Sequence, residues 1–190
     1  MSSRISLALS TSLLIGSALA VVGCSSSPKG ITATAENPAG KPAANFSLKD
    51  ADGDQVTLAN YKGKVVLLNF WATWCGPCKV EIPWFVEFNK AYKDRGFAVV
   101  GVSLDDDGWK SVKPYLAETK IDYTVVGDDI VSKSYGGVDS LPTTFIIDWD
   151  GRIAFVHTDL VGKDTYETEI RSLLGRDQRA ALKGDAVIVE

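Results

Sequence analysis

Lys64–Phe70 carries four consecutive apolar residues, Val65-Val66-Leu67-Leu68, and within five residues of its end the chain reads Cys75-Gly76-Pro77-Cys78. An uninterrupted apolar run of this length belongs to a strand covered on both faces, not to one with a solvated side. From about Pro77 to Arg95 the period changes: Val80, Trp84, Phe85, Phe88 and Tyr92 fall at helical spacing, and Gly96 stops the run. The two cysteines therefore lie where a buried strand passes into a helix.

The rest of the chain extends this pattern. Phe46 to Asp50 and Gln55 to Leu58 alternate apolar and polar around Asp52-Gly53, which predicts a hairpin. Phe97–Val102 predicts a second buried strand, and Trp109–Thr119 a helix disturbed by Pro114. A short strand over Tyr123–Val126 and a short helix over Asp128–Tyr135 precede Gly136-Gly137. Thr143–Asp148 and Ile153–His157 are strands joined by an Asp150-Gly151 turn, and Asp164–Leu174 is a last amphipathic helix. Alternating strands and helices that end in a hairpin and a helix predict an α/β domain, a central mixed sheet flanked by helices with an N-terminal β-hairpin extension. At 190 residues with 45% apolar composition, the chain holds one such domain. The net charge of −4 and the lack of a Lys/Arg cluster speak against a nucleic-acid partner.

The first residues have another purpose. Arg4 precedes an apolar run from Ile5 to Val22, the n-region and h-region pattern of a secretory signal. The run approaches the roughly 20 residues that span a bilayer, but Val21-Val22-Gly23-Cys24 follows, which resembles a bacterial lipobox with Val in place of the usual Leu at −3. That resemblance implies cleavage before Cys24, lipidation of its thiol, and anchoring without spanning. The expected boundaries are a signal peptide over 1–23, a flexible Ser/Pro/Ala/Gly-rich tether over 24–44, a domain over 45–175, and an unplaced tail over 176–190. Lipidation also reduces three cysteines to one acyl carrier and one pair.

Two cysteines separated by two residues at a helix start can bridge without straining the backbone. The free N–H groups and positive end of the helix stabilise a thiolate, and a cysteine's ordinary pKa of about 8.5 falls in such settings to roughly 3.5–7.5. Gly76 and Pro77 suit a tight entry into a helix. Cys75, the outer sulfur, is the expected attacking thiol, with Cys78 resolving the mixed disulfide. Such an exchange needs no cofactor. A structural zinc site needs about four ligands, and only His157 and Cys24 are added to the pair. Haem attachment needs His where Lys79 stands. A structural disulfide closing so short a loop would constrain the unfolded chain little.

Asn69-Phe70-Trp71-Ala72-Thr73-Trp74-Cys75-Gly76-Pro77-Cys78-Lys79 resembles the active-site strand and helix of thioredoxins. More closely, residues 42–175 resemble the extracytoplasmic TlpA/ResA-like thiol–disulfide oxidoreductases. Tyr61-Lys62-Gly63-Lys64, Pro83 eight residues after Cys75, and Leu141-Pro142-Thr143-Thr144-Phe145 all contribute to that resemblance. It implies a thioredoxin-like fold and a cis bond before Pro142, whose neighbouring backbone groups at Leu141 would pair with an extended substrate. It also implies an exposed Trp74 that packs on substrates with Gly76 and Pro77. Cytosolic thioredoxins carry a buried Asp six residues before the first cysteine; Asn69 stands there and accepts no proton. Glu81 occupies the place of a glutamate in ResA-like proteins and follows Cys78 by three residues, on nearly the same helix face. It is the expected proton shuttle for Cys78. Trp71 is expected in the core, His157 in a structural part, and Asp105-Asp106-Asp107 in a solvated loop that caps a helix.

The implied activity is reduction of protein disulfides, those of apocytochrome c or metallochaperones, with electrons from a transmembrane thiol carrier. Direction depends on reduction potential, and Gly-Pro between the cysteines resembles the reducing thioredoxins. A thiol peroxidase of peroxiredoxin type would need Pro-x-x-x-Thr-x-x-Cys, where Leu68 and Ala72 stand instead. A copper-delivery module would need Cys-x-x-x-Cys. Lipidation implies the outer side of the cytoplasmic membrane, or, with Ser25 after Cys24, the outer membrane of a two-membrane cell.

Overall fold

A computed structural model describes residues 38–127 and 130–184, with side chains to residue 175. Cys24 and most of the expected tether lie outside the described residues. Seven strands and four α-helices follow in the order β1 (Ser47–Lys49), β2 (Gln55–Thr57), β3 (Val65–Trp71), α1 (Gly76–Tyr92), β4 (Phe97–Ser103), α2 (Trp109–Thr119), β5 (Thr124–Gly127), α3 (Ile130–Ser134), β6 (Thr143–Ile147), β7 (Ile153–His157) and α4 (Lys163–Gly184).

β1 and β2 form a separate antiparallel pair; the other five form a sheet in the order β5-β4-β3-β6-β7. β3 is parallel to β4 and antiparallel to β6, so the sheet is mixed. All seven residues of β3 are buried, as are all seven of β4. Alternate side chains of β3 enter two cores. Val65, Leu67 and Trp71 pack with Ile82, Phe85 and Phe88 of α1 and with Tyr166, Ile170 and Leu173 of α4. Val66, Leu68 and Phe70 pack with Phe46, Leu48 and Val56 of the hairpin and with Val131 and Tyr135. The hairpin therefore serves as a lid over one face of the sheet.

Both Asp-Gly turns are built alike. Asp50 Oδ1 accepts the N–H groups of Asp52 and Asp54, with Gly53 at φ +91°. Asp148 Oδ1 accepts those of Asp150 and Arg152, with Gly151 at φ +78°. In each case an aspartate side chain organises its own turn and a glycine takes the left-handed position.

Three features differ from the pattern read in the sequence. The apolar stripe of α1 runs through Cys78, Glu81, Ile82, Phe85, Phe88 and Tyr92, while Val80 is exposed. Spacing of three and four residues counted from Cys78 selects Glu81 and Ile82, which turns Val80 away from the core. α1 runs through Pro83, which is exposed. Residues 38–44, expected in the tether, pair through their backbone, and Ala43 and Ala44 pack against a core. Gly40 N–H donates to Ile153 O at 2.7 Å and Ala43 N–H to Gly151 O at 2.9 Å, which covers the free edge of β7. α4 continues past Leu174 through Gly175 to Gly184, into the unplaced tail; one glycine costs a helix only about 1 kcal/mol.

Gly101 of β4 lets the sheet close over the aromatic layer. A Cβ there would stand 2.9 Å from Trp71 Nε1 and 3.3 Å from Tyr123 Cε2, both rings being buried. Gly101→Ala is expected to lower unfolding free energy by about 1–3 kcal/mol, the cost of overpacking a filled core, as read from urea denaturation.

Candidate active site

Cys75 and Cys78 are joined by a disulfide with a Cα–Cα distance of 5.3 Å. Cys75 is the N-cap of α1, and its Sγ accepts the N–H of Cys78 at 3.2 Å. The sulfur thus takes up one of the unpaired donors of the helix start, which is where a thiolate is best stabilised. Both cysteines are buried, Cys75 at 4% exposure and Cys78 at 1%. The next residue on the N-terminal side, Trp74, is 68% exposed. Gly76 and Pro77 are also exposed, whereas Trp71 is fully buried.

The Leu141–Pro142 bond is cis. Phe70 pairs with Thr143 in the β3–β6 register, so Pro142 falls at the end of the sheet where β3 exits toward Cys75. Leu141 is half-buried there and packs against both cores.

Glu81 is not a solvated helix residue. It is fully buried, and Tyr166 of α4 donates its hydroxyl to Glu81 Oε1 at 2.8 Å. Burial raises its pKa from 4.5 to about 7, against smaller opposing effects of the Tyr166 hydroxyl and the Val161 backbone. A carboxyl near neutrality one helical turn beyond the resolving cysteine has the properties of a proton acceptor and donor.

Asp105 was expected in a solvated loop and instead grips the active-site loop. Its carboxylate accepts the N–H of Thr73 at 3.0 Å, the Thr73 hydroxyl, and the Ser103 hydroxyl at 2.7 Å. It thereby ties the exit of β4 to the residues that carry Trp74 and Cys75. No spacing signal reveals this, because the two partners are 32 residues apart. Asp107 does bond the α2 residue Ser111, at 2.8 Å. His157 pairs through Nε2 with Glu169 at 2.8 Å, away from the sulfurs in the packing of α4 on β7.

Residues 39–156 match the AhpC/TSA family model. Over 131 residues the chain is 37% identical to the thiol-disulfide oxidoreductase ResA of Bacillus thuringiensis subsp. konkukian, covering 67% of this chain and 72% of that protein. It is 35% identical over 136 residues to ResA of Geobacillus kaustophilus, covering 70% and 77%. The crystal structure of a thiol:disulfide interchange protein of the thioredoxin family from Chlorobium tepidum TLS superposes with a TM-score of 0.65 at 32% identity, covering 73% of this chain and 97% of that one. The chain belongs to the AhpC/TSA family, as a ResA-like thiol–disulfide oxidoreductase. Its fold is thioredoxin-like, with the Cys75–Cys78 disulfide as its redox centre.

The raised pKa of Glu81 has a consequence for stability. Between about pH 4.5 and pH 7 the folded protein holds a proton on Glu81 that the unfolded chain has released, so this residue's contribution falls as pH rises through that window. The stability difference between the parent and Glu81→Gln is expected to move against the parent by on the order of 3 kcal/mol across the window and to level off above it. Urea denaturation of the oxidised proteins at a series of pH values reads this directly.

Proposed function

We propose that this oxidoreductase reduces protein disulfides outside the cytoplasm, from a lipid anchor at Cys24. The observation that carries the dithiol exchange is Cys75 capping the start of α1 with a buried Glu81 one turn beyond Cys78; Gly76-Pro77 between the cysteines supports reduction as its direction. The Cys75 thiolate attacks a substrate disulfide, forming a Cys75–substrate bond and releasing one substrate thiolate. Glu81 takes the proton of Cys78, and the resulting thiolate attacks Cys75 Sγ. The second substrate thiolate leaves, and the Cys75–Cys78 disulfide is the two-electron product. A thiol carrier in the membrane resets the dithiol.

Extended substrate backbone pairs beside cis-Pro142 at Leu141, and Trp74, Gly76 and Pro77 supply the contact surface. The relatives named ResA support cysteine-containing apocytochromes or metallochaperones as substrates, maturation of c-type cytochromes being the process served. The lipobox-like sequence at Cys24 supports anchoring. No helix among the described residues is long and apolar enough to cross a membrane.

Cys78→Ser is expected to accumulate a mixed disulfide on Cys75 that survives non-reducing electrophoresis and identifies the substrate by mass. Cys75→Ser should trap nothing, and equal trapping by the two would reverse the assigned roles. Cys24→Ala is expected to abolish incorporation of labelled fatty acid and to release the protein from the membrane fraction. Retention of the label would exclude Cys24 as the anchor.

A further inference from the structure

Glu81 is the end point of a chain of polar side chains in an otherwise apolar layer. Asn69 of β3 lies opposite Thr144 of β6 in the sheet register, and Asn69 Nδ2 donates to Thr144 Oγ1 at 3.0 Å. Thr144 lies next to the hydroxyl of Tyr166 and favours its ionised form, and Tyr166 donates to Glu81 Oε1 at 2.8 Å. All four side chains are buried, none more than 1% exposed. The Tyr166 ring is held edge-on by Phe85, with centroids 5.3 Å apart, and by His157 at 5.1 Å.

The direction of the chain follows from donor inventory. An amide nitrogen only donates, so Thr144 Oγ1 accepts from Asn69 and has its own hydrogen for Tyr166. The Tyr166 oxygen can accept that hydrogen and gives its single O–H to Glu81 Oε1. Each donor points toward the carboxyl, and aligned bonds of this kind reinforce one another in a low-dielectric interior. Oε1 can accept from Tyr166 whether Glu81 is ionised or neutral. Oε2 has no hydrogen bond of full geometry.

We infer that Tyr166 is a positioning residue for the exchange: its hydroxyl holds Oε1 of Glu81, so that Oε2 is the oxygen that takes the proton from Cys78. This rests on the proposed role of Glu81 and deepens it. The transfer converts the Cys78 thiol and the Glu81 carboxylate into a thiolate and a carboxylic acid, and the thiolate then attacks Cys75 Sγ as above. The proton cannot pass on through the chain. Asn69 and Thr144 do not titrate near neutrality, and burial pushes the Tyr166 hydroxyl far above its ordinary value. Glu81 shares the buried stripe of α1 with Cys78, accepts from Tyr166 on α4, and interacts with the Val161 backbone before α4 and with Tyr123 before β5. Glu169 and His157 act one layer out, through Tyr166.

Tyr166→Phe keeps the ring and its packing but removes the hydroxyl, and Thr144→Val removes the bond behind it. In oxidised full-length protein labelled with 13C at glutamate carboxyls, the Glu81 resonance is identified by its loss in Glu81→Gln. Its titration midpoint is expected to rise by about one pH unit in Tyr166→Phe, and by less in the same direction in Thr144→Val. A parallel readout uses 5,5′-dithiobis(2-nitrobenzoate) on the reduced protein, where release of the second thionitrobenzoate reports attack by Cys78 on the Cys75 adduct. Its rising pH limb should move upward with the Glu81 midpoint in both variants, a change that a merely structural ring contact would not produce. An unmoved midpoint in the variants that fold, with the limb abolished in Glu81→Gln, overturns the role of Tyr166 while leaving that of Glu81. Persistence of the limb in Glu81→Gln instead removes Glu81 as the proton acceptor, and the positioning role with it.

Discussion

β3 has a hydrogen-bonded neighbour on each edge and an apolar layer against each face, so its position in the molecule is determined four times over. Everything at the active site is measured from its C-terminal end. Parallel β4 ends beside it and delivers Asp105 to Thr73, while antiparallel β6 begins beside it and delivers Pro142. α1 starts four residues beyond β3 and packs back on the same sheet, which aims its N-terminus at Cys75. A disulfide on a mobile loop would have no such frame. Here it is held at the junction of two rigid elements, as precise chemistry between sulfurs requires.

The face of the sheet toward α1 and α4 carries polar residues that hydrophobic packing alone would not choose. A buried carboxyl left unpaired is costly, and each buried polar group needs a partner. Tyr166 partners Glu81 Oε1 and Asn69 partners Thr144, while Glu81 Oε2 has none, and the remaining cost of burial appears as the raised pKa of Glu81. The same burial that weakens Glu81 as an acid brings its protonation into the range where a thiol can exchange with it. Stability is thus given up at the residue proposed to transfer the proton, a common pattern at functional sites.

Much of this was legible in the chain. The doubly covered β3, the hairpins at Asp52-Gly53 and Asp150-Gly151, and the helix after Cys75 follow from periodicity and turn chemistry, which are local properties. Cys75, Cys78 and Trp74 are legible because residue type and spacing alone place them at a helix start. What periodicity missed has a common cause. Val80 was drawn into the core stripe because it is apolar, although the helical register set by Cys78 assigns that place to Glu81. Residues 38–44 lack bulky apolar side chains, yet they pair with the start of an edge strand that no local reading of them could supply.

Sequence by itself determined the class of fold, the redox pair and the order of the elements, since each depends on residues within a turn or two of one another. Only the tertiary structure decided that Glu81 is buried and held by Tyr166, 85 residues away, and that Asp105 binds Thr73 across 32. These contacts form between elements that meet only once the sheet has closed, and a polar residue's partner carries no periodic signature. The sulfurs, and Glu81 and Pro142 by family resemblance, were therefore readable from the chain, whereas Tyr166 and Asp105, which hold their neighbours in place, became visible only in the packed core.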